Sequence, residues 1–240
     1  LLTGFAMASY GFALSRERAW PGGIWLGTGV GVGFLAKGLL VPGVIGVTAL
    51  LLPLLFGTWR LRVYARSLGI ALLAALPWLL IWPIILYERA PHLFYVWFWL
   101  NNIGRFLGFS VPELGAGNEP WFWPKTLPWF AFPALPLALF TLWRQRARIA
   151  VSPPLQYGLV AFTVFLAILL TSASARTSYG LPMLAALAVL AVPSVQTLPN
   201  NWNRYSDIAA RLLFTAIAAL LWTVWSIMMA TGHAPAWHFL

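Results

Sequence analysis

The chain has 240 residues, 61% of them hydrophobic and 8% charged, with mean hydropathy +0.81 and a net charge of +10. Charged residues make up about a quarter of ordinary soluble domains, so this composition excludes one and points to a polytopic α-helical membrane protein. With no Cys, disulfides, thiolate metal sites and cysteine nucleophiles are excluded as well.

Apolar runs such as GLLVPGVIGVTALLLPLLF do not alternate with period two, which argues against a transmembrane barrel. Eight apolar segments follow one another: 1–14, 20–36, 38–56, 67–87, 126–143, 155–171, 178–195 and 209–230. They predict an all-α bundle of about eight spans, read as a single multi-pass membrane domain over 1–240. The chain opens on LLTGFAMASYGFALSRER, with no basic region before the apolar run, and is expected to be a piece of a longer protein. In the second segment Gly23, Gly27 and Gly31 recur every four residues, as do Gly29 and Gly33, predicting close helix packing in lipid. The GVGFLAKG that ends it is no phosphate loop, since Ala36 precedes Lys37 and Gly38 follows it. Pro77 and Pro83 are expected to kink the fourth segment, and Pro128, Pro133 and Pro136 the fifth.

Lys and Arg on alternate connections divide unequally. Arg16, Arg18, Arg60, Arg62, Arg66, Arg144, Arg146, Arg148, Arg204 and Arg211 stand against Lys37, Arg89, Arg105, Lys125 and Arg176. Ten against five places the first set in the cytoplasm and makes the long break at 88–125 an external loop. A +10 chain whose cations sit at span ends is expected to meet lipid phosphate, with no nucleic acid as partner.

The loop at 88–125 holds three of the five acidic residues, Glu88, Glu113 and Glu119, and carries two aromatic belts, at 94–99 and 121–123. Pro91 suits a first helical turn, and His92 to Phe109 predicts a helix lying in the interface. Leu93, Trp97, Leu100 and Leu107 would form its apolar side, with Asn101, Asn102 and Arg105 clustered on another. An Arg beside two Asn suits a phosphate held by charge-assisted hydrogen bonds, although a headgroup anchor is the plainer reading. Lys37 divides evenly between a snorkelling anchor and a phosphate contact. Arg176, with Tyr179 one turn on, reads either as an interfacial pair or as part of the same site. Glu113 and Glu119 read as a base or sugar-hydroxyl ligands, or equally as solvated loop carboxylates. His92, His233 and His238 are too scattered to ligate a metal, and no metal site is expected.

Three pieces then occur in order: FLAKG closing a glycine-rich span, NNIGRF followed by PWFWPKTLPW, and SARTSYGLPML entering a later span. That arrangement resembles the membrane glycosyltransferases of GT-C fold that use polyprenyl-phosphate sugars, the protein O-mannosyltransferases and lipid A aminoarabinose transferases. The resemblance covers Leu1 to Val195. It implies that Lys37, Arg105, Arg176 and Tyr179 hold the lipid phosphate, with Asn101 and Asn102 in the substrate loop. It implies a polyprenyl-phosphate sugar donor, membrane lipid around the chain, and a glycan, lipid or protein acceptor on the external face of a bacterial inner membrane. The family's catalytic carboxylate lies in a first external loop whose acidic motif has no counterpart here. A divalent cation, if one is used, would be bound by that missing part. Glu113 and Glu119 are the carboxylates left to serve as base, and Gly117-Asn118-Glu119 stands where members often carry a His. A transporter or flippase of lipid-linked sugars and a non-catalytic membrane subunit remain the alternatives.

Overall fold

The computed structural model describes residues 1–115 and 117–231; His233 and His238 lie outside the described residues. The chain divides into two compact units, Leu1–Ser194 and Val195–Leu240. Helices follow as α1 (Leu2–Ser15), α2 (Ala19–Lys37), α3 (Leu40–Leu55), α4 (Arg62–Arg89), α5 (Pro91–Tyr95), a π-helical stretch (Val96–Gly104), α6 (Arg105–Leu107), α7 (Val111–Leu114), α8 (Phe122–Phe130), α9 (Ala134–Arg144), α10 (Pro153–Thr171), α11 (Met183–Thr197) and α12 (Asn200–Thr231). Short 3₁₀ turns lie at Gly57–Trp59, Arg146–Arg148 and Thr177–Gly180. Among the described residues there is no strand, only an isolated bridge between Gly117 and Ser174.

Every one of the eight apolar segments lies on helix, but not all as a full span. Among the described residues three helices are long and apolar enough to cross a membrane, α4, α10 and α12, and a fourth if the bent pair α8–α9 is one span. α3 and α11 are apolar but shorter than a crossing helix. The fifth segment is the clearest departure from a simple span, because α8 and α9 meet at 93°. Pro133, between them, has no N–H to continue the ladder. α4, in contrast, runs unbroken from Arg62 to Arg89 through Pro77 and Pro83.

α2 is the packing centre of the first unit because its glycines let neighbours approach on two sides. A Cβ at Gly23, Gly27 or Gly31 would strike Ile70, Ala71 or Trp78 of α4. One at Gly29 would meet the Ala8 backbone of α1, and one at Gly33 would meet Val41 of α3. Without side chains here backbone meets backbone at Gly27 and Gly29, and Trp78 and Val41 seat on the bare backbone of Gly31 and Gly33, the close approach by which helices attract in lipid, where no hydrophobic drive exists. The core continues through edge-to-face aromatics, Phe5 on Phe165 with centroids 5.6 Å apart and Phe12 on Trp59 at 6.4 Å. The outer faces of α4 carry exposed Leu, Ile and Trp. Apart from a few half-buried positions, the described side chains of α12 are exposed too.

Two polar assemblies cap opposite ends of α10, whose 19 residues span about 28 Å. At its start, fully buried Gln156 donates to the carbonyls of Ile149 (2.8 Å) and Ala150 (2.9 Å). Its Oε1 accepts from Thr58 Oγ1 (2.6 Å) and Trp59 Nε1 (2.8 Å). Arg16 reaches the same turn, donating to Thr58 O at 3.3 Å, and Arg60 closes the end of α3 by donating to Pro53 O at 2.8 Å. The other end of α10 meets Lys37 and the loop segments between α4 and α8.

Candidate functional site

A cavity of about 360 Å³ opens where the end of α2, the start of α3, the π-helical stretch, α6 and the end of α10 converge. Leu39, Leu40, Ile103, Phe106, Leu107, Ile168 and Leu169 make most of its wall apolar. Lys37, Arg105, Tyr179, Asn101, Asn102, Ser172 and Ser174 supply its polar groups. Among the described residues no Asp, Glu or His lines it.

Lys37 is the last residue of α2, and the helix stops there because Gly38 follows with φ +62°, a conformation other residues adopt at a steric cost. The Lys37 ammonium lies over the ring of Tyr179, 4.0 Å from its centroid. Tyr179 stands in the 3₁₀ turn after Arg176, whose carbonyl accepts the Tyr179 N–H at 3.0 Å. Burial pushes the Tyr179 phenol up. The adjacent Lys37 ammonium and the positive charges of Arg105 and Arg176 outweigh it, and the phenol ends below its ordinary value. One phenol thus feels all three cations.

The three cations are not equivalent. Arg105 is half-buried in the cavity wall and donates to Leu114 O at 3.1 Å, which leaves most of its donors uncommitted. Lys37 is exposed at the rim. Arg176 is exposed, acts on Tyr179 through its charge, and does not line the cavity. Among the described residues none of the three is in an ion pair. Unit charges about 10 Å apart repel by about 1.7 kcal/mol at an effective dielectric near 20, so an uncompensated cluster favours an anion.

The helix expected over 92–109 forms as α5, the π stretch and α6, a continuous helical run from Pro91 to Leu107. Its i→i+5 winding departs from the α-helical face drawn from the sequence. Trp97 packs against Phe34 of α2 at 5.7 Å and Trp82 of α4 at 4.7 Å, while Leu93 and Leu107 are exposed. Asn101 and Asn102 each donate a side-chain hydrogen bond to the carbonyl five residues back, Val96 O at 3.1 Å and Trp97 O at 2.8 Å. Both amides therefore serve the π-helical backbone, and the Asn102 carbonyl oxygen also accepts the Leu39 N–H at 3.0 Å.

Several partners escaped the sequence reading. Asn118 donates its amide to Leu169 O (3.2 Å) and Ser172 O (2.7 Å), and its backbone N–H to Ala173 O (2.9 Å). Ala173 N–H in turn donates to Phe106 O at 2.9 Å. These bonds sew the end of α10 to the loop that carries Arg105 and bring Tyr179 to the cavity. Nothing local marks Asn118 for that role, because its partners lie 51 and 54 residues away. Glu113 and Glu119 are both exposed and line no part of the cavity. Lys125 is exposed likewise.

Over 202 residues the chain is 30% identical to undecaprenyl phosphate-alpha-4-amino-4-deoxy-L-arabinose arabinosyl transferase 1 of Sodalis glossinidius, covering 77% of this chain and 33% of the relative. Arabinosyl transferases of that description from Yersinia pestis and Yersinia pseudotuberculosis are 27% identical over 206 residues, 82% of this chain and 35% of theirs. The chain spans about a third of the length of the curated relatives it matches. No family model matches the chain, and no solved structure matches it.

Proposed function

We propose that this chain, a relative of undecaprenyl-phosphate aminoarabinose transferases, forms the lipid-phosphate-holding part of a membrane glycosyltransferase. The donor is a polyprenyl-phosphate sugar, and the acceptor hydroxyl is met on the membrane face opposite the Arg60 and Arg144 clusters. The observation that carries this reading is the cavity itself, with an apolar wall, Lys37 and Arg105 at its polar side, and no carboxylate among its described lining residues. An isoprenoid chain suits the wall, and a phosphate suits the cations.

In the transfer, the acceptor oxygen attacks the anomeric carbon. The bond from that carbon to the phosphate oxygen breaks, and its electron pair stays on the phosphate. The phosphodiester, with one negative charge, becomes a monoester with a second developing charge. Lys37, Arg105 and the field of Arg176 stabilise that added charge, and Tyr179 offers its hydroxyl to the same oxygens. The acceptor's proton passes to a carboxylate from outside the cavity lining, Glu113, Glu119 or an upstream acidic loop of the kind the resemblance implies.

The test is equilibrium binding of the detergent-solubilised chain to a polyprenyl monophosphate, with the matching polyprenol as control. The phosphate is expected to bind more tightly than the alcohol, by a margin that shrinks as salt rises. Equal affinity for the two would overturn the reading.

A further inference from the structure

Besides the direct packing of Gly33 on Val41, the turn between α2 and α3 is bonded by a side chain from a distant segment. Lys37 ends α2, Gly38 turns the chain at φ +62°, and Leu39 offers its N–H to Asn102 Oδ1 at 3.0 Å. The other end of the same amide donates to Trp97 O at 2.8 Å, and Trp97 is wedged between Phe34 and Trp82. Gly38 and Asn102 fit so closely that a Cβ on residue 38 would overlap Asn102 Oδ1. Three residues after Asn102 the same helical run presents Arg105 to the cavity. The amide therefore ties the element that ends in Lys37 to the element that carries Arg105, from residues 63 apart in sequence.

We propose that Asn102 is a positioning residue whose amide latches the α2–α3 turn to the π-helical segment and thereby sets the separation at which Lys37 and Arg105 address one anion. The latch is a statement about geometry, while its use on a lipid phosphate rests on the proposed function. A long, exposed lysine at a helix end samples many rotamers, and only its root can be fixed by neighbouring backbone. Asn suits the role where an ionised carboxylate does not, because its amide accepts from one segment of backbone and donates to another at once.

The Cys-free chain allows a direct test. Spin labels at Leu35→Cys and Tyr95→Cys, both exposed positions on α2 and on the helical run of Asn102, report the distance between the two elements by pulsed dipolar EPR. A narrow distribution is expected in the parent, a broadened one in Asn102→Ala, and an intermediate one in Asn102→Asp, which keeps the acceptor for Leu39 N–H. An Asn102→Ala distribution as narrow as the parent's overturns the latch. Binding of a polyprenyl monophosphate supplies the second arm. Asn102→Ala is expected to weaken it about tenfold, the scale of one lost charge-assisted contact. The Asn102→Ala/Lys37→Ala pair should bind no worse than Lys37→Ala alone, because the first change acts through the second residue. Additive losses with an unchanged melting temperature would assign Asn102 a role apart from Lys37 and overturn the proposal. If Lys37→Ala leaves the affinity unchanged, the lipid-phosphate reading falls, and the label distances alone decide the latch.

Discussion

Replacing Lys37 with Met keeps the length and apolar stem of the side chain and removes only its charge and donors. Lys37 Nζ sits 4.0 Å from the Tyr179 ring centroid at the cavity rim, so two effects separate. A hydrogen bond to a charged group contributes about 1.5–3 kcal/mol, and the exposure of Lys37 puts its share near the lower end. A polyprenyl monophosphate should then bind about tenfold more weakly, with a smaller salt dependence. The second effect needs no ligand. Burial of Tyr179 stays while the adjacent Lys37 charge goes, so the phenol should titrate at higher pH than in the parent. The linkage sign follows from the depressed phenol. Its contribution to folding is present above the ordinary Tyr value, is lost as pH falls through the folded one, and shrinks in Lys37→Met. Difference absorbance during an alkaline titration reads this, with Tyr179→Phe identifying the signal. An unmoved Tyr179 titration together with unchanged affinity at low salt would refute the placement of Lys37 in the site.

Gly27→Ala should lower the melting temperature, because its Cβ would overlap Ala71 O and prise α2 from α4, at a cost of about 1–3 kcal/mol. Gln156→Leu should cost about 3 kcal/mol, since it leaves buried Trp59 Nε1, Thr58 Oγ1 and the carbonyls of Ile149 and Ala150 without their partner; chemical denaturation in detergent measures it, and a loss under 1 kcal/mol would contradict the network. Single cysteines at Glu119 and Arg146, both exposed, should label from opposite membrane faces in sealed vesicles, with Glu119→Cys reacting from outside. Labelling of both from one face would contradict the orientation drawn from the Lys and Arg count.

The sequence by itself determined the class of molecule and the helical segments. Apolar runs of this length have no other way to satisfy their backbone in lipid. It also determined the packing of α2, because a helix with glycines at 23, 27, 31, 29 and 33 has little but backbone to offer its neighbours there. Lys37, Arg176 and Tyr179 were legible as polar residues at the ends of apolar segments, and Arg105 as the cation beside two asparagines in the long loop. How far each segment resembles a span was not legible: the prolines of the fifth predicted a kink, but not the 93° at which α8 and α9 meet. Only the tertiary structure decided which cations share a wall, that Arg176 stands back from it, and that Glu113 and Glu119 stay out of the cavity. The roles of Asn102 and Asn118 belong there too. An asparagine's two-sided amide bonds whatever backbone is nearest in space, and that backbone lies 63 residues away for Asn102 and 51 to 54 for Asn118, distances over which no local pattern carries information.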